Sequence, residues 1–234
     1  MHSRQILVYS KDAQVQRRIA NLGFAGEVLS TDRDYLGIFN SNLGGTKTDL
    51  SIEQSVKLVS KILSDGSIVN TLEIIRKNLD TEDNNDYLRA LVPAGSQLLS
   101  ATGFDEHEYF NSTSKGLDQD SDLAKWDQGE LKSNVFIRTE ANKTEFAGWL
   151  KTPSQQDKVV KIVYRLPFKV FAEQSYSLLL QKQSGSKPLE FQGQVELGDF
   201  KASWLGPDMK ISNSSISFGS NTNTDDFWPL IIAK

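Results

Sequence analysis

Apolar and polar positions change period twice in the first fifty residues. Arg4-Gln5-Ile6-Leu7-Val8-Tyr9 is a short apolar run of the kind a buried strand presents. Asp12 then stands where a helix N-cap belongs, Val15, Ile19 and Leu22 recur at i, i+4, i+7, and Gly23 supplies the stop. Gln14, Gln16, Arg17, Arg18 and Asn21 form the solvated face of that helix. A third run, Tyr35-Leu36-Gly37-Ile38-Phe39, ends in the polar loop Asn40-Ser41-Asn42-Leu43-Gly44-Gly45-Thr46-Lys47. Residues 1–50 thus predict a strand–helix–strand unit, a small α/β segment that reads as the tail of a larger domain.

The next stretch fits two periods. Ile52, Val56, Val59 and Leu63 share a helical face, with Ser51 and Gln54 spaced as a capping box, yet Val56, Leu58 and Ile62 alternate as in a strand. Ser64-Asp65-Gly66 decides for the strand, because it precedes the β-rich run Ser67–Ile75; residues 51–63 and 67–77 are predicted to pair as a hairpin. After the acidic run Asp80, Glu82, Asp83, Asp86, short β-like segments recur at 87–92, 97–101, 134–139, 145–150, 158–166, 176–183 and 189–197. Breakers such as Pro93-Ala94-Gly95 and Ser184-Gly185-Ser186 separate them. The expectation is a mainly β protein: an antiparallel, immunoglobulin-like β-sandwich over 51–234, preceded by the α/β segment, with a polar insertion at 103–131. Ser212–Asp226, rich in Ser, Asn and Thr, is expected to be a mobile stretch.

Composition removes several classes of function. With 26 Lys+Arg against 30 Asp+Glu the net charge is −4, and no basic block occurs, so the electrostatic basis of nucleic-acid binding is missing. The apolar stretch Phe227–Ala233 is far shorter than the ~20 residues of a membrane helix, so this stretch of chain is not expected to insert itself into a membrane. Without cysteine there is no disulfide, thiolate nucleophile or sulfur-ligated zinc. No cofactor is expected.

Candidate chemistry is sparse, and no catalytic residue is assigned. Gly44-Gly45-Thr46-Lys47-Thr48 resembles a phosphate-binding loop in composition, but Thr46 rather than Gly precedes Lys47 and a hairpin follows where a helix is required. His107-Glu108 opens like a zinc-protease helix, but Asn111 occupies the position of the second imidazole, and no Gly-x-Ser-x-Gly elbow is present. Asp118, Asp120 and Asp122 carry the alternate carboxylates with which calcium loops begin, although Leu123 replaces the turn glycine and Gly129 the bidentate acid. They are kept as a candidate metal site. Asn40, Asn42, Lys47 and Asp49 are the candidate ligand-binding residues, dense enough to hold an anionic or hydroxylated group. Trp126, Trp149, Trp204 and Trp228 are too scattered to predict a stacking platform.

From Arg4 to about Leu197 the order of motifs resembles the carboxy-terminal part of the bacterial domain of unknown function 4012 family. The resemblance rests on Ile6–Asp12 with Gln16 and Gly23–Gly26, on Asp34-Tyr35-Leu36 running into Asn40–Asp49, and on Asp65-Gly66. Tyr87-Leu88-Arg89 into Val92–Gly95, Tyr164–Pro167 and Tyr176–Gly185 extend it. It implies a piece of a larger exported bacterial protein, on the extracellular face of the cell and held by an amino-terminal membrane helix outside this stretch. The expected function is a non-enzymatic cell-envelope module with a structural or interaction role, partnered by other envelope proteins or surface glycan. The alternative is a ligand-binding or enzymatic component of surface polysaccharide metabolism that uses the Asn40–Asp49 loop.

Overall fold

The longest pair of strands grows from the turn Leu63–Gly66. Gly66 takes a φ of +79°, its N–H donates to the Leu63 carbonyl at 2.8 Å, and a Cβ there would meet the Val170 carbonyl oxygen at 2.3 Å. Asp65 accepts from the N–H and the hydroxyl of Ser67 at 3.0 and 2.6 Å. The expected hairpin is present as β2 (Ile52–Ile62) and β3 (Ser67–Asn78), in register from Ile52↔Asn78 to Ile62↔Ile68. Period two prevails because Val56, Leu58 and Ile62 then face the core together with Ile68, Leu72 and Ile74 of the partner strand.

The structure, a computed structural model, describes residues 6–42, 45–106 and 129–234. Among these, fifteen strands make two sheets. One has eight strands, in the order β12 (Lys201–Leu205), β15 (Asp226–Ala233), β10 (Ser175–Gln181), β1 (Asp34–Ser41), β4 (Asn84–Pro93), β8 (Lys143–Thr152), β7 (Val135–Glu140), β6 (Glu130–Lys132). The other has seven: β13 (Lys210–Ser212), β14 (Ser215–Thr222), β11 (Leu189–Glu196), β2, β3, β9 (Asp157–Lys169), β5 (Gln97–Thr102). The chain passes repeatedly from one sheet to the other, and their inner faces pack into a single apolar core.

The sandwich is as expected, but four finer expectations are corrected. Both sheets are mixed rather than antiparallel, since β1 runs parallel to β10 and β11 parallel to β2. Alternation reports which face is buried and is blind to strand direction. The boundary expected at residue 50 is crossed by hydrogen bonds: β1 lies between β10 and β4 in the middle of its sheet, so it belongs to the sandwich. Residues 6–10 form no strand, and Ile6, Leu7, Val8 and Tyr9 are exposed, because no neighbouring strand offers them a ladder. Ser212–Asp226 is largely built into strands: β14 pairs with β11 along its whole length, from Leu189↔Thr222 to Glu196↔Ser215.

The helix α1 (Ala13–Asn21) is where the pattern put it. Asp12 accepts from the N–H groups of Gln14 and Val15 at 2.8 and 2.9 Å, and Gly23 ends the helix at φ +77°. No α1 residue is buried. The segment is moored by Gln181, which accepts from Leu29 N–H and donates to the Glu27 carbonyl, both at 2.8 Å.

Strand β1 also organises the two ends of the core. Its inward residues run Asp34, Leu36, Ile38, Asn40, apolar in the middle and polar at each end. At one end Asp34 accepts from Asn70 of β3 and Tyr176 of β10; at the other Asn40 donates to Gln54 of β2. An aromatic trio of Phe191, Phe218 and Trp228 ties β11 and β14 to β15, with Phe191 and Trp228 stacked at 5.2 Å.

Candidate functional site

The end of the sandwich that Asn40 reaches is organised by a buried arginine. Arg76 points inward from β3 in the alternation that buries Leu72 and Ile74, and only 1 % of it is exposed. Its guanidinium crosses to the other sheet, where it pairs with Asp86 and donates to Asn84 Oδ1 at 2.8 Å, both on β4. Within its own sheet Nη1 donates to Gln54 Oε1 at 3.2 Å. An isolated charge here would be prohibitive; the fork geometry of arginine lets one residue meet three partners.

Because a guanidinium can only donate, it fixes the orientation of every amide around it. Gln54 must present oxygen to Arg76, so Asn40 must present its NH2 to Gln54, which it does at 3.0 Å. Asn84 likewise turns its oxygen to Arg76, and its NH2 goes to Asp49 Oδ1 at 2.6 Å and Thr48 Oγ1 at 3.0 Å. Asn42 closes the loop by donating to Thr48 Oγ1 and Asp49 Oδ1 at 3.2 and 3.3 Å. Gln183 pairs reciprocally with the Asn40 backbone, accepting its N–H and donating to its carbonyl, each at 2.9 Å.

Above this network lies a cleft of about 290 Å³. Its floor contains Arg76, Asn40, Gln54 and Asp49; Ile52 and Leu189 belong to its apolar lining, and the turn after β10 closes it. That turn is held by Lys182, whose ammonium donates to the Gln183 and Ser186 carbonyls at 3.0 and 2.8 Å. Two buried floor atoms have no hydrogen-bond partner within the protein, Nε of Arg76 and Oδ1 of Asn40; on the far side of the ion pair the same holds for Oδ1 of Asp86. Burial pushes the Asp86 carboxyl up to about 6 against the downward pull of Arg76, and burial likewise lowers Arg76 from its ordinary value.

Of the residues picked from sequence, Asn40 and Asp49 line the cleft and Asn42 stands in the network behind it. Lys47 does not join them: it is exposed and only precedes the short 3-10 turn Thr48–Ser51. That turn leads into β2, not into a helix, so the phosphate-loop geometry is missing here. Asp118, Asp120, Asp122 and His107 lie outside the described residues, as does Trp126. Among the described residues no three His, Asp or Glu side chains gather as metal ligands. Arg76, Gln54, Asn84 and Asp86 were not legible as site residues. The one available signal was an arginine two residues beyond Leu72 and Ile74 in the inward alternation of its strand.

A second polar cluster sits at the opposite end of the core. Asp34 is fully buried and accepts from Tyr176 OH at 2.7 Å, Asn70 Nδ2 at 2.8 Å and Tyr35 N–H at 2.9 Å. Tyr176 also meets Ser60 at 3.0 Å, and Asn70 reaches Tyr164 at 3.1 Å. Burial raises Asp34 to about 6 despite those hydrogen bonds, and burial together with the Asp34 charge drives Tyr164 and Tyr176 well above the usual phenol range. The cluster ties sheet to sheet, since Asp34 of β1 and Tyr176 of β10 meet Asn70 of β3 and Ser60 of β2 across the core, and Oδ1 of Asn70 keeps no partner within the protein.

Fold and cleft define a mixed β-sandwich domain with one polar-floored recess at an end of its core. No protein-family model matches the sequence, and no curated protein matches it. Among solved structures, a Legionella pneumophila protein proposed to bind nutrients aligns over 85 % of this chain and 71 % of its own, at 7 % identity and a TM-score of 0.48. An M1 zinc metallopeptidase of Deinococcus radiodurans aligns over 78 % of this chain at 9 % identity and a TM-score of 0.29. A variant of that enzyme with a Tyr-Ser-Ala substrate gives 10 % identity and a TM-score of 0.30. This chain spans 42 % of the metallopeptidase length in both. None of these likenesses carries a function over to it.

Proposed function

We propose that the protein is a non-catalytic binding module of a bacterial cell envelope, and that it holds a small polar ligand in the Arg76 cleft. The observation that carries this reading is the floor itself. Arg76 and Asn40 both line a cleft, and each keeps one buried polar atom without a partner within the protein, so the polar network has hydrogen-bonding capacity left beside a recess. Placement in the envelope, outside the cell and among surface glycans and other envelope proteins, is supported by the order of motifs from Ile6 to Gly185.

The test is a ligand screen on the purified chain by thermal shift and ligand-observed NMR, with neutral monosaccharides, amino acids, carboxylates and inorganic phosphate. At least one class should bind saturably at a single site and lose binding in Asn40→Leu. Saturable binding that Asn40→Leu leaves unchanged, or no binding by any class, would defeat the proposal.

A further inference from the structure

We infer that the ligand of this cleft is a small organic monoanion, a carboxylate carried on a short apolar body, with its charged group against the turn at 184–187 and its body against Ile52 and Leu189. This rests on the binding role proposed above and gives it a chemical class.

The charges around the cleft are unevenly placed. Its lining holds Arg76, Lys182 and Lys187 against the single carboxylate of Asp49. On the floor, Arg76 already answers to both Asp86, its ion-pair partner, and Asp49, so the floor draws in no further anion. On the turn side no carboxylate belongs to the lining; Asp225, which accepts the backbone N–H of Lys182 at 3.0 Å, lies outside it. Lys187 is exposed and has no ion-pair partner among the described residues. Its ammonium donates to the Ile52 carbonyl at 3.2 Å, which holds the charge beside the cleft wall and leaves its remaining N–H groups for a ligand. A cation without a counter-charge at the turn, above a floor that already carries carboxylates, selects a single negative charge and sets which end of the ligand faces the turn.

The turn adds backbone donors. Lys182, only 2 % exposed, takes the Gln183 and Ser186 carbonyls at 3.0 and 2.8 Å. Both peptides are trans, so the N–H groups of Ser184 and Lys187, on the opposite side of the same two peptide planes, point away from that buried ammonium to the exposed side of the turn. Neither has an acceptor among the described residues. Gly185, between them, takes a φ of +76°, the left-handed step with which the N–H groups of a turn form an anion-binding concavity.

Next to this charge the wall is apolar. Ile52, whose carbonyl Lys187 holds, and Leu189 both line the cleft, and Leu50 in the same lining is 72 % exposed. A wholly polar anion such as phosphate would leave that wall in water, whereas a carboxylate on an apolar body covers it. A volume of about 290 Å³ lies at the lower bound of small-molecule sites, which keeps the body short.

The experiment titrates the purified chain at neutral pH with 4-methylpentanoate and phenylacetate, with the uncharged amide of each, and with inorganic phosphate and methyl glucoside. At least one carboxylate should saturate and bind at least ~10-fold more tightly than its own amide, which keeps the shape and removes the charge. Its affinity should fall at least ~3-fold from ~0.05 to ~0.5 M salt. Lys187→Met should weaken that carboxylate at least ~5-fold and flatten its salt dependence. Lys187 is exposed, and a thermal melt of the variant checks that the fold is kept. An amide that binds as tightly as its acid, phosphate or methyl glucoside that binds more tightly than both carboxylates, or a carboxylate affinity that Lys187→Met leaves unmoved overturns this inference and leaves the binding role standing. Binding by none of these probes overturns it too, and if the wider screen above is also silent the binding role falls with it.

Discussion

Asp34 makes the protein's stability fall as pH rises through the mildly acidic range, the reverse of ordinary acid unfolding. Its carboxyl titrates near 6 in the folded chain against 3.8 when free, because burial between the sheets penalises the charge more than Asn70, Tyr176 and the Tyr35 N–H reward it. A folded pKa above the unfolded one means that the native state binds the proton more tightly. The stabilisation is fully present below about pH 3.8 and is lost as pH rises through about 6. The size follows from the shift: about two pK units at 1.36 kcal/mol each is ~3 kcal/mol, or a fall of ~6–12 °C in melting temperature for a chain of this length. Asp86, also raised to about 6, acts in the same direction. Asp65, Asp80 and Asp83, all held below the usual range by hydrogen bonds, act oppositely once pH drops below about 4. Maximum stability is therefore expected at about pH 4 to 5. Urea unfolding followed by tryptophan fluorescence across that range should show the fall, and Asp34→Asn should remove its ~3 kcal/mol share and leave that of Asp86. An Asp34→Asn variant that falls as steeply as the native chain, or a native chain that gains stability from about pH 4.5 to 6.5, would refute the reasoning.

Gly193→Ala should cost ~1–3 kcal/mol and alter the near-UV circular dichroism, because a Cβ there would lie 2.2–2.7 Å from the ring of Phe218 and push it out of the aromatic trio. Lys47→Ala should change stability by less than ~0.5 kcal/mol in a thermal melt, since Lys47 is exposed and stands outside the cleft. Gly45→Val should cost more than ~1 kcal/mol although its Cβ would meet nothing within 4 Å, because φ of +70° strains a β-branched residue; chemical denaturation measures it.

Alternation and turn chemistry carried much of the fold. The Asp65-Gly66 turn, the α1 caps at Asp12 and Gly23, and most strands from β2 to β11 are local, and local rules place them. The Asn40–Asp49 loop was legible as a candidate site for the same reason: dense polar residues after an apolar strand are visible in a short window of sequence.

Direction, partnership and orientation were decided only in three dimensions. Nothing in Tyr35–Phe39 says that β1 will lie parallel to a strand about 140 residues away, because a ladder's sense depends on where the chain returns and not on which side chains alternate. Ile6–Tyr9 reads as a strand but lacks a neighbour, and a strand without a ladder does not exist. Asn40 and Asp49 showed themselves in the sequence as polar residues and no more. What joins them into one network is Arg76, which lies 27 positions beyond Asp49 and reads in sequence as one more strand arginine. Only burial between two sheets turns its guanidinium into a hub, since inside a low-dielectric core donors must find acceptors, and that requirement fixes which atom of each amide faces the guanidinium.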